Sequence, residues 1–229
     1  MVRVAAYDPG RIRDSLGMVA ADVSEKEILL LNAKEWKKTN FVIAEQQIAD
    51  INERHPFDRH ICETNNQGWH VIDNMRSIHG IPVIGVNTSK SLTAKTARLG
   101  KSLDKNAMVE WIDWARDKGV VKFPSGQWSQ GITELSKQLN RFVMKKTSSG
   151  YKYEAAESDD HDDLVLALVV LCHYARMKIL NLGNIQEPPL GMGPPEDDMS
   201  SDNVFVKNIR ERLQSSGMKL DEIETPDEW

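Results

Sequence analysis

Cysteine is nearly absent from this sequence: Cys62 and Cys172 are the only two in 229 residues, and neither sits in a Cys-x-x-Cys or Cys/His spacing. That excludes a disulfide framework and leaves zinc without a ligand set. Both cysteines lie inside apolar runs and read as buried thiols of a reducing compartment. Long hydrophobic runs are missing too. The longest, Leu164 to Cys172, has nine residues, whereas a membrane-spanning helix needs about 20. Met1-Val2-Arg3-Val4 leads directly into a strand-like segment, so no signal peptide is read and the chain is taken as intracellular. No internal repeat occurs. The phosphate loop GxxxxGK[ST] is also lacking, so no ATP hydrolysis is expected of this chain.

Strong positive charge is the other absence. The net charge is −5, which is unpromising for a nucleic-acid binder until it is divided along the chain. Ile185 to Trp229 carries eleven acidic and four basic residues, so the preceding 184 residues have a balance of +2. Acidity is mostly a property of the tail, and a DNA partner is neither supported nor excluded by the total.

What is present has the pattern of a mixed α/β protein. Strand-like segments are read at Val2 to Tyr7, Leu16 to Val23 and Glu27 to Trp36, with short connections that predict an antiparallel meander. Phe41 to Arg54 has helical spacing and stops before Pro56. Asp58 to Glu63 reads as a buried strand, His70 to His79 as a short helix and Ile81 to Val86 as another strand. A helix over Leu103 to Lys118 presents Met108, Trp111, Ile112 and Ala115 on one side. The two tryptophans Trp111 and Trp114 are read as packing residues. Val120 to Phe123 is strand-like, Gly131 to Lys146 is read as a helix, and Gly150 to Glu154 as a hairpin arm or edge strand. Asp162 to about Leu180 is apolar on nearly all sides through Cys172, hence a buried helix. A mixed central sheet flanked by helices on both faces is expected over residues 1–183. Residues 184–229 are read as an acidic, Pro/Gly-rich linker and tail, with a short helix around Val204 to Leu213.

Carboxylates stand at three structurally distinctive places. Asp8 ends the first strand, where Pro9-Gly10 stops it; taken alone, Asp-Pro-Gly is a turn. Glu63 ends a buried strand directly after Ile61-Cys62, where a charge is costly unless paired. Six carboxylates then crowd into the ten residues from Glu154 to Asp163: Glu154, Glu157, Asp159, Asp160, Asp162 and Asp163. Two acidic residues suffice to stabilise a helix N-terminus, whereas six repel one another unless a cation neutralises them. Neighbouring Asp162 and Asp163 are rotated by about 100° on a helix, so their roles differ. Oxygen-only ligands suit a hard divalent cation. Two such ions, roughly 3.5–4 Å apart, suit hydrolysis of a phosphodiester.

Three motifs in order carry a resemblance. Asp8-Pro9-Gly10 with Asp14-Ser15 and the following strand resembles the first motif of the nuclease domain of viral large terminase subunits. Ile61-Cys62-Glu63-Thr64-Asn65 is similar to its second acidic motif, and His161-Asp162-Asp163-Leu164-Val165-Leu166 to its C-terminal helix motif. The Val86 to Pro124 stretch, closing on Lys122-Phe123-Pro124, is similar as well, so the likeness spans residues 2–182. It implies an RNase H-like fold and Mg2+- or Mn2+-dependent cutting of double-stranded DNA during genome packaging, in the host cytoplasm. Metal ligation and catalysis then fall on Asp8, Glu63 and the Asp162–Asp163 pair. Asp163 is preferred within the pair, with Asp162 kept open. The resemblance also implies a packaging ATPase, portal and small terminase as partners.

Lys90, Lys95, Arg98, Lys101 and Lys105 lie within sixteen residues opposed only by Asp104, and are read as phosphate contacts. Arg11 and Arg13, close to Asp8, are read in the same way. His161, Asp14 and Asp159 are auxiliary candidates: a proton shuttle or helix cap, a turn residue, and a further carboxylate. Two other readings stay open. A junction resolvase of the same fold is one, although many resolvases place a further Asp where this chain has Leu166. The other is a weakly active module that docks on DNA or portal.

Overall fold

The computed structural model describes residues 1–10, 15–65, 67–87, 105–147, 150–156 and 162–183. Among the described residues thirteen elements follow in order. They are β1 (Val2–Pro9), β2 (Leu16–Val23), β3 (Ile28–Trp36), α1 (Phe41–Arg54), β4 (Arg59–Glu63), α2 (Gly68–Ser77) and β5 (Val83–Val86). Then come α3 (Lys105–Asp117), β6 (Val121–Lys122), α4 (Gln130–Arg141), β7 (Phe142–Thr147), β8 (Gly150–Ala155) and α5 (Asp163–Lys178). Six strands form one sheet in the order β5-β4-β1-β2-β3-β6. The β1-β2-β3 meander is antiparallel, as expected, while β4 joins β1, β5 joins β4 and β6 joins β3 in parallel.

Alternation along the strands sorts their side chains onto two faces. Ala5, Tyr7, Met18, Ala20 and Cys62 pack under α1 and α2, against Ala44, Ile48, Ile51, Val71, Ile72 and Met75. Val4, Ala6, Val19, Ala21 and Ile61 face the other way, beneath α3, α4 and α5. Helix α5 lies centrally there, with Leu164, Val165, Ala167, Leu168 and the run to Cys172 all buried. Each buried Leu or Val contributes about 1.5–3 kcal/mol relative to exposure. A helix apolar all round is therefore stable only as the covered centre of this layer.

The segment Gly131 to Lys146 is not one helix. Helix α4 ends at Arg141, and Phe142 turns extended at φ −85°, ψ 109°. Residues 142–147 then pair antiparallel with 150–155, so the hairpin arm at Gly150 has its partner in what reads as helix. The reason is tertiary. Phe142 is fully buried and stacks on Tyr153 across the ladder, with centroids 6.4 Å apart, and such aromatic cross-strand pairs favour sheet. Smaller differences concern ends: α2 begins at Gly68 rather than His70, β5 at Val83 rather than Ile81, and α5 stops at Lys178. Both cysteines are free and buried. No described helix is long and apolar enough to cross a membrane. The tail expected from 184 onward lies outside the described residues.

Beneath α1 the Tyr7 hydroxyl and His60 Nδ1 are 2.8 Å apart, and His60 Nε2 lies 3.1 Å from Asn52 Oδ1. Burial pushes the His60 pKa down from 6.5 to about 4. The native imidazole therefore stays neutral while the unfolded chain takes up a proton below its ordinary pKa. Stability is lost as pH falls from about 6.5 to 4, by about 3 kcal/mol at about 1.36 kcal/mol per unit. Imidazole NMR across this range is expected to show His60 still largely neutral at pH 5; titration near 6.5 would contradict the buried network.

Candidate active site

Strand parity places the two strand-end carboxylates side by side. Ala6 pairs with Ile61 and Tyr7 with Cys62 in the parallel β1–β4 ladder. One residue further, Asp8 and Glu63 share the α5 face, since Val4 and Ala6 on β1 and Ile61 on β4 all point that way. On the far side of β1, Asp8 pairs with Gly17 of β2. A Cβ on Gly17 would lie 2.5 Å from the Asp163 carbonyl oxygen and 2.6 Å from its carbonyl carbon. Only a residue without a side chain lets the start of α5 settle onto the sheet here. That contact brings the Asp163 carboxylate, far from Asp8 in sequence, beside it.

Asp163 is the first residue of α5 and is 6% exposed. Its Oδ2 accepts a 2.7 Å hydrogen bond from the Ser15 hydroxyl. Ser15 is itself placed by the loop closure Gly10 N–H to Ser15 O, 2.8 Å. The next free N–H of the helix, on Leu164, donates to Gln138 Oε1 at 3.0 Å, and Gln138 Nε2 donates to Glu35 Oε2 at 2.9 Å. Asp162 precedes the helix, and its side chain makes no capping bond. Its Oδ2 instead lies 3.9 Å from Lys105 Nζ, which also sits 5.3 Å from the centroid of the Phe142 ring. Glu63 is half-buried and accepts from Asn65 Nδ2 at 2.8 Å.

Asp8 is the centre of this arrangement. It is 2% exposed, and its Oδ1 has no hydrogen-bond partner among the described residues. Burial pushes its pKa well above the ordinary carboxylate range. A hydrogen bond to Glu63 adds to this, followed by the charges of Glu63, Asp163 and Asp162. Crowding of like charge around Asp8 is relieved either by a proton or by a bound cation. Among the described residues no three His, Cys, Asp or Glu side chains are already drawn together as a metal cage. The Asp8 and Glu63 carboxyl groups lie against each other instead. The donor chemistry nevertheless fits a hard cation: all the acidic groups offer oxygen, one buried oxygen is orphaned, and the Cys62 thiol next to Glu63 packs on the opposite face of the sheet.

Of the residues singled out in the sequence, Asp8, Glu63, Asp162, Asp163 and Lys105 meet at this end of the sheet. Arg11, Arg13, Asp14, Lys90, Lys95, Arg98, Lys101, Asp159 and His161 lie outside the described residues. Sequence reasoning missed Gly17 and Gln138 as site residues, and saw Ser15 and Asn65 only as parts of motifs. Asn65 had a local signal, two residues after Glu63. Ser15 and Gln138 had none, because their partners lie 148 and 26 residues away.

A mixed six-stranded sheet of this order, carrying carboxylates at adjacent strand ends and at the start of a covering helix, defines an RNase H-like protein. The chain belongs to the Terminase RNaseH-like domain family, whose pattern matches residues 5–175. No curated protein matches it. Among solved structures it is similar to the large terminase nuclease from thermophilic phage G20c with bound magnesium. The TM-score is 0.54 at 15% identity, covering 75% of this chain and 80% of that one. A mutant of gp2c, from the large terminase subunit of bacteriophage sf6 with calcium, gives 0.54 at 13% identity, covering 76% and 88%. A large terminase from another thermophilic bacteriophage gives 0.53 at 12% identity, with 75% of this chain matching 39% of that one. At such identities the likeness is one of fold.

Proposed function

We propose that the chain is a divalent-metal-dependent endonuclease cutting double-stranded DNA with little sequence preference, the nuclease part of a viral DNA-packaging terminase. The observation that carries this reading is the orphaned, buried Asp8 Oδ1 among carboxylates from two strand ends and a helix start. Asp8, Glu63 and Asp163 would hold magnesium or manganese, two ions in all, with Asp162 as the fourth ligand. Bound divalent cations acidify water and offset charge on the phosphate. Magnesium in the G20c nuclease and calcium in the sf6 domain support this choice of ion.

The remaining work belongs to the chain itself. The hydroxyl of Ser15 and the amide of Asn65 fix the Asp163 and Glu63 carboxylates, so their oxygens need little reorganisation. Lys105, beside Asp162, offers its ammonium to the DNA backbone, which positions the duplex without reading sequence. In this reading residues 1–183 are the nuclease domain and 184–229 a linker and tail. ATP hydrolysis comes from a separate packaging ATPase domain or subunit, with portal and small terminase as further partners in the host cytoplasm. A family member matching two-fifths of a large terminase chain supports that division.

The test is a supercoiled-plasmid assay. Nicked and then linear DNA is expected in Mg2+ or Mn2+ and none in EDTA. Equal cutting in EDTA, or intact plasmid in both metals with a folded protein, defeats the reading.

A further inference from the structure

We propose that the Lys37–Lys38 turn is a phosphate-contacting element that seats the duplex beside the carboxylates, three to four base pairs from the cut. The inference rests on the nuclease reading above and adds a substrate-binding element to that same site. Strand β3 runs in the same direction as β1, because both are antiparallel to β2. Its C-terminal end therefore reaches the pole that carries Asp8. Register fixes the level: Asp8 pairs with Gly17, and Gly17 pairs with Glu35. Two strand spacings separate Glu35 from Asp8, about 10 Å, and two further residues add about 7 Å along the strand. With β3 extended by one residue past Trp36, Lys37 thus stands about 12 Å from Asp8 measured diagonally across the sheet. At about 3.4 Å per base pair that is three to four base pairs of duplex.

The turn is built in an unusual way. Lys38 has φ +52° and is the only non-glycine residue with positive φ among the described residues. A side chain in this left-handed region is disfavoured, and glycine or asparagine fills it more readily. A lysine held there against its backbone preference points to use of its charge. Lys37 and Lys38 are both exposed. Lys37 Nζ lies 3.3 Å from Glu35 Oε2 and 3.7 Å from Glu134 Oε1, so part of its charge is answered within the protein. Lys38 has no ion pair among the described residues. The turn is anchored on both sides. Buried Trp36 donates from Nε1 to Gln47 Oε1 at 2.8 Å, and Asn40 Oδ1 accepts from Val42 N at 2.9 Å to cap α1. The Thr39 hydroxyl also donates to Lys37 O at 3.1 Å. A rigid, exposed cationic turn level with a phosphodiester-cutting site has the phosphate backbone as its natural partner.

Lys38→Gly and Lys38→Arg separate charge from folding. The glycine variant relieves the backbone, so its thermal midpoint is expected to be unchanged or higher. Its affinity for a labelled duplex in EDTA, read by fluorescence anisotropy across a salt titration, should nevertheless fall several-fold. The slope of log affinity against log salt should flatten by about one. Lys38→Arg should retain both affinity and slope. In the plasmid assay Lys38→Gly should raise KM and leave kcat unchanged. Unchanged affinity and slope in Lys38→Gly overturn the proposal, as does equal loss in Lys38→Arg. If the unaltered protein cuts plasmid while Lys38→Gly binds normally, only this inference falls. If the unaltered protein neither binds nor cuts duplex DNA, the nuclease reading falls with it.

Discussion

Asp8→Asn is expected to lower metal-dependent cleavage by about a thousandfold, through loss of several kcal/mol of charge stabilisation at about 1.36 kcal/mol per tenfold. The same change should make the metal-free protein more stable at neutral pH. Asp8 is buried, its Oδ1 has no partner, and three other carboxylates add to the pressure on its proton. An amide of the same shape removes the charge yet still donates to Glu63. The pH dependence follows from the direction of the shift. A carboxyl with a raised folded pKa holds its proton in the native state after the unfolded chain has released it. Native stability therefore falls as pH rises through that window and is recovered on acidification. This is opposite in sign to His60, so the two are separable. Asp8→Asn should remove the alkaline-side loss and leave the acid-side loss attributable to His60 in place. Thermal midpoints in EDTA and in Mg2+ complete the argument. The unaltered protein should gain from Mg2+, because binding to the native state stabilises it, and Asp8→Asn should gain little. A variant that is less stable in EDTA, or that still cuts at the original rate, is incompatible with Asp8 as a ligand held under electrostatic strain.

The order of the elements was legible because their periodicities are strong. The meander, helix α1 and α5, apolar on nearly all sides as far as Cys172, follow directly from alternation, helical spacing and the lack of a polar face over that run. The strand β7 was not legible. Phe142-Val143-Met144-Lys145-Lys146 continues an amphipathic helix with no glycine or proline to stop it, and only contacts across the hairpin, stacking of Phe142 on Tyr153 and the Lys145–Glu154 ion pair among them, select the extended form. The site divides in the same way. Asp8 and Glu63 announce themselves as carboxylates that end apolar strands, and their juxtaposition follows once parallel pairing is assumed. Parity does not say which Asp of the third motif turns toward Asp8. That depends on where α5 starts and on the Ser15 and Gln138 contacts that fix it, all of long range. Gly17 is the extreme case: in sequence it is one small residue in a strand rich in small residues.

Gly17→Ala is accordingly expected to damage both fold and site. The added methyl would meet the Asp163 carbonyl oxygen and carbon at 2.5 and 2.6 Å. These are backbone atoms at the start of a fully packed helix, so they cannot swing aside as a side-chain tip does. Relief requires α5 to lift from β2 or β2 to bend away from β1. Such overpacking costs about 1–3 kcal/mol, which lowers the thermal midpoint by about 2–4 °C per kcal/mol in a protein of this size. The catalytic loss should exceed what this instability explains. Lifting α5 draws Asp163 away from Asp8 and from the Ser15 hydroxyl, and a displacement of about 1 Å at a reacting centre can cost about a hundredfold. Gly80→Ala provides the control. Gly80 has φ +67° with open space around its Cβ position, so alanine there costs about 1 kcal/mol of backbone strain without touching the carboxylates. Both variants should be less stable, but per folded molecule only Gly17→Ala should lose cleavage. Equal cleavage by the two, measured well below their midpoints, would mean that close approach of α5 to β2 does not set the geometry of the site.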